Sequence, residues 1–152
     1  MLNLKSIPKI PRLLGLAGLL PQAMCVVAVM FGGLEYQYAA LSIGYAYAVI
    51  IFSFLGGMWW GLAAGNLADG EKSYHWVYIA AVIPSLLALI SFLPWVYGEN
   101  WPGPSLVFLG ICIIASPLLD RRLDALTPAW WMQLRIILSA GLGMLTLILA
   151  AA

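Results

Sequence analysis

The chain has 152 residues, 64% of them apolar and only 9% charged, with a net charge of +1. A soluble domain carries roughly 25% charged residues to cover its surface, so the apolar excess here must face lipid. These numbers exclude a cytosolic enzyme, a nucleic-acid binder and a disordered segment, and they leave no global field to steer anions.

A helix needs about 20 apolar residues to cross the bilayer core, and only helices or closed barrels satisfy their backbone polar groups there. Five runs meet or approach that length: residues 13–33, 39–64, 76–97, 104–119 and 136–152. The first follows Lys5, Lys9 and Arg12. It is longer than a secretory signal core and no small-residue cleavage pattern follows it, so it reads as a true span. The first contains Pro21 and the third Pro84 and Pro94, each expected to bend its helix. The fourth is short and is expected to borrow Trp101 or Leu123 at its ends. None of the five runs holds an acidic or basic residue, which removes any evident carrier for proton-coupled transport. Cys25 and Cys112 lie far apart in apolar runs and read as small core fillers.

The expected fold is an all-α membrane protein, a compact bundle of five transmembrane helices forming one integral domain over residues 1–152. All seven basic residues fall on one side of this topology: Lys5, Lys9, Arg12, Lys72, Arg121, Arg122 and Arg135. By the positive-inside rule the N-terminus is cytoplasmic and the C-terminus outside. Trp95 and Trp101 would anchor the outer interface, and Trp76, Trp130 and Trp131 the inner one.

The second run is the most unusual. Ser53, Gly57, Gly61 and Gly65 recur every fourth residue and form one small-residue face, a glycine zipper that lets another helix approach closely. The neighbour is a helix of the same chain, a second copy or a membrane-protein partner. Gly61→Leu is then expected to force helices apart, as overpacked sites do. Trp59, Trp60 and Asn66 beside this face offer a slot for a planar lipophilic ligand. At the other cytoplasmic connection, Arg121, Arg122 and Arg135 set topology, form local ion pairs or contact anionic lipid head groups. One His and two distant Cys make no metal site, and no nucleophile, base and acid converge. No cofactor is expected, and the chain does not read as an enzyme.

Three segments together resemble a known family. They are residues 12–21 (RLLGLAGLLP), residues 53–62 (SFLGGMWWGL), and residues 120–123 (DRRL) followed by Pro128, Trp130, Trp131 and Arg135. The chain is similar in this order to an uncharacterised family of small bacterial membrane proteins that includes transmembrane protein 69 of mitochondria. The resemblance implies a multi-span inner-membrane protein and transfers no catalytic role. At position 59 the family motif often holds a polar ring or basic residue, where this chain has Trp59. In size and tryptophan content the chain is also similar to the translocator protein family, whose members bind porphyrins and sterols.

The sequence therefore leads first to a non-enzymatic binding or scaffold module acting through the glycine face. A carrier or sensor of a lipophilic small molecule (porphyrin, quinone or sterol class) comes second, and a small-solute transporter third.

Overall fold

The computed structural model describes residues 7–65 and 74–152. Among these the fold is helical throughout: α1 Lys9–Ala17, α2 Leu20–Phe31, α3 Leu34–Gly65, α4 His75–Val96, α5 Gly103–Ala115, α6 Pro117–Asp120, a 3-10 turn Arg121–Leu126, and α7 Trp131–Ala151. Five stretches are long and apolar enough to cross a membrane: Lys9–Phe31, Leu34–Gly65, His75–Val96, Gly103–Leu126 and Trp131–Ala151. The expected bundle of five spans is therefore present. The fourth is longer than its apolar run because α6 and the 3-10 turn extend it past Leu123.

The helix boundaries follow local chemistry. The first span breaks at Gly18 and Leu19, just before Pro21 takes a place in the first turn of α2. Tyr47 donates its hydroxyl hydrogen to the Gly18 carbonyl and ties the break to α3. Gly33, at a φ of 74°, makes the tight turn into α3 with a conformation that costs glycine least. Pro84 and Pro94 lie inside α4 without ending it.

α3 is the central helix, packed against α2, α4, α5 and α7, and α5 pairs with α7. Lipid tails are as apolar as the side chains, so close approach and dispersion hold such helices together. Two crossings show how. A Cβ on Gly56 would overlap the Ala81 carbonyl oxygen of α4, and one on Gly143 would stand 2.9 Å from the Gly110 carbonyl oxygen of α5. These glycines exist to let backbones touch. At the end of the bundle that holds the C-terminus, Tyr45 packs edge-on against Trp101 with ring centroids 5.1 Å apart. Its hydroxyl lies 2.9 Å from Ser91 Oγ, and Ser105 Oγ donates to the Ser91 carbonyl, joining α3, α4 and α5. Midway, Gln22 is wholly buried and donates from Nε2 to Thr146 Oγ1 at 3.1 Å, linking α2 to α7.

Cys25 is buried and Cys112 half-buried; both are free thiols. Cys25 fills the gap left by Gly44, where its Cβ is 3.3 Å from the place a methyl would take.

Candidate functional site

The end of the bundle that holds the start of α1, the end of α3 and the α5–α7 connection carries a buried polar network. Asp120, 1% exposed, sits at the end of α6. Its Oδ2 accepts from Arg135 Nε at 2.9 Å, the one ion pair among the described residues. Its Oδ1 accepts from Trp59 Nε1 at 2.9 Å and from Trp131 Nε1 at 3.4 Å. Arg135, 6% exposed, also donates from Nη2 to Ser116 Oγ at 3.2 Å. Ser116 gives its own hydrogen to the Ile113 carbonyl, so Ser139, 3.2 Å away, is the donor between the two hydroxyls. Three segments of the protein, α3, α6 and α7, meet on one carboxylate.

Local structure makes this possible. Ser116 and Pro117 step the fourth span from α5 into α6, and the turn points Asp120 back into the bundle. Trp131 opens α7, which puts Arg135 one turn further in, on the same face. Leu123 packs beneath the network against Trp59, Ala63, Val77 and Ala81, excluding water from that side. In such surroundings a charge is tolerated only when paired and hydrogen-bonded, and here both charges are.

Beside the network lies a cavity of about 250 Å³ between the first span, α3, α5 and α7. Its walls are apolar, from residues such as Leu14, Phe54, Met58 and Leu138, with Gly15 and Gly18 on the α1 side. Arg135, Ser139 and Trp131 line it too and form its polar end. Arg135 Nη1 has no hydrogen-bond partner among the described residues.

These positions correct several expectations. Arg135 does not join Arg121 and Arg122 in a lipid-facing clamp: those two are exposed on the 3-10 turn, while Arg135 is buried against Asp120. The expectation that the spans hold no charge fails for the same reason, since the fourth and fifth spans bring Asp120 and Arg135 inside. Trp59 is 3% exposed and its N–H is committed to Asp120, so it walls no open slot. Trp60 is 50% exposed and packs edge-on against Tyr78, with centroids 4.8 Å apart. Asn66 lies outside the described residues. Gly57, Gly61 and Gly65 are exposed, and a Cβ on any of them would meet nothing within 4 Å. Packing among the described residues therefore does not use this face. Gly56, one position away, is the glycine that packs. Ser53 is half-buried and lines a groove between α3 and α4. No group of three or more His, Cys, Asp or Glu is placed to hold a metal among the described residues.

Five long apolar helices with an internal ion pair define a multi-span helical membrane protein. The chain belongs to the family described as protein of unknown function (DUF3429), whose model matches residues 7–152. It is 32% identical over 138 residues to transmembrane protein 69 of Xenopus tropicalis, covering 90% of this chain and 51% of that protein. The chain thus spans about half the length of this relative. No solved structure matches it.

Proposed function

We propose that this protein is a non-enzymatic membrane module that holds a lipophilic small molecule in the cavity between the first span, α3, α5 and α7. The observation that carries this reading is an apolar space of about 250 Å³ whose one polar end is a buried, hydrogen-bonded ion pair. Ligand sites are typically concave and mostly apolar, with a few fixed polar groups that set orientation. The site lies away from Trp60 and the slot that the sequence suggests. The setting we propose is a bacterial inner membrane with the N-terminus cytoplasmic, as the seven basic residues argue. There Arg121 and Arg122 meet anionic head groups at the surface.

The test is to extract the purified protein with organic solvent and identify what comes with it by mass spectrometry. One compound in stoichiometric amount is expected from the wild type, markedly depleted in Leu138→Trp, which fills the cavity from its α7 wall. The same bulk lipids in the same proportions from both proteins would refute the reading.

A second reading rests on the uncovered face of α3. A helical glycine costs about 1 kcal/mol relative to alanine, and Gly57 and Gly61 gain no neighbour among the described residues to offset it. The occupant that best suits this face is α3 of a second copy, because a small-residue strip is complementary to itself across a two-fold axis. This is the scaffold role that the glycine spacing suggests.

A further inference from the structure

The polar end of the cavity also specifies what kind of head group it takes, an inference that rests on the ligand-binding reading above. Three groups form that end. Trp131 has committed its N–H to Asp120 and Ser139 its hydrogen to Ser116. What remains is the two N–H groups on Arg135 Nη1 and one on Nη2, donors without a partner among the described residues, and the lone pairs of Ser139 Oγ. The free capacity of the site is thus chiefly to donate, so the ligand must accept.

Charge then decides between acceptors. Arg135 is already neutralised by Asp120, 2.9 Å from its Nε. A carboxylate or phosphate head would bring a second negative charge beside Asp120 and leave the buried site with a net negative charge. In a low-dielectric interior such an excess charge is strongly disfavoured. A neutral carbonyl accepts the same N–H groups and leaves the balance untouched. Arg121 and Arg122 do not alter this account, being exposed on the 3-10 turn. Size sets a further limit: a dry cavity of about 150 Å³ holds a benzene ring, so this one suits one ring with a short tail, or a comparable aliphatic ketone or ester.

We propose that the cavity selects a neutral lipophile bearing a carbonyl-type acceptor, seated against Arg135 Nη1, and discriminates against its anionic counterpart.

The test uses three matched probes, 4-hexylacetophenone, 4-hexylbenzoate and hexylbenzene, on the full-length protein in nanodiscs. Saturable binding is measured above partition into empty discs, at a pH where the benzoate is ionised. The ketone is expected to bind roughly tenfold more tightly than hexylbenzene, as befits one hydrogen bond to a charged donor. The benzoate should bind no better than hexylbenzene. Arg135→Lys keeps the charge opposite Asp120 but loses the guanidinium fork, and should remove most of the ketone's advantage while hexylbenzene binding holds. Benzoate binding as tight as the ketone, or a ketone no tighter than hexylbenzene, overturns the proposed class while cavity binding stands. If none of the three probes binds saturably, the ligand-binding reading itself falls. The wild-type ranking decides the question even if the lysine variant does not fold.

Discussion

Asp120→Leu should destabilise the bundle by about 3–5 kcal/mol, the range for removing one partner of a buried ion pair. The loss has two parts. Arg135 is left as an uncompensated buried cation, and the indole N–H groups of Trp59 and Trp131 lose their acceptor. The variant should unfold far earlier than the wild type in a denaturant titration in micelles, followed by circular dichroism. Adding Arg135→Met should restore much of the loss, because a buried pair replaced by apolar groups of similar volume is often close to neutral. Failure of the second change to rescue the first would mean that the tryptophan bonds, rather than the charge, dominate. A single variant as stable as the wild type would remove the network from its structural role.

Gly56→Leu and Gly61→Leu should behave as opposites although they lie on the same helix. At Gly56 the first added atom meets a backbone carbonyl, that of Ala81, which cannot rotate away. Helices α3 and α4 must then separate, and the cost should reach about 3 kcal/mol, the upper end for overpacked sites. At Gly61 an added Cβ meets no described residue within 4 Å. The monomer should keep its thermal midpoint or gain slightly, since leucine favours the helix by up to about 1 kcal/mol over glycine. The sequence expectation that Gly61→Leu disrupts packing is thereby restricted to contacts between copies. Cross-linking in native membranes reads that part: if two α3 helices pair there, Gly61→Leu abolishes the cross-linked dimer while the monomer stays folded.

The five spans were legible from composition because lipid imposes one requirement on every residue they contain: little charge over about 20 positions. The glycine spacing was equally legible, but its meaning was not. Gly56 and Gly57 are adjacent in sequence and identical in chemistry, and only the position of α4 decides which of them packs. The ion pair was hidden for a related reason. Asp120 stands next to Arg121, Arg122 and Asp124, in a run that looks like a solvated connection. The turn at Ser116 and Pro117 folds it inward, 15 positions before the arginine it pairs with and 61 after the tryptophan it binds. A signal did exist. Trp59, Asp120 and Arg135 all fall within the segments that carry the family resemblance, and those segments meet at one site. The cavity had no sequence signal, since it is bounded by apolar residues from separate helical segments.

The most direct measurement is a crystal structure of the protein grown from a lipid mesophase without stripping of native lipid. The account predicts an ordered molecule in the cavity behind α1, with an acceptor oxygen within hydrogen-bond distance of Arg135 Nη1 and the Asp120 pair intact. A cavity closed by inward movement of α1, or filled by acyl chains with no atom ordered against Arg135, would contradict it.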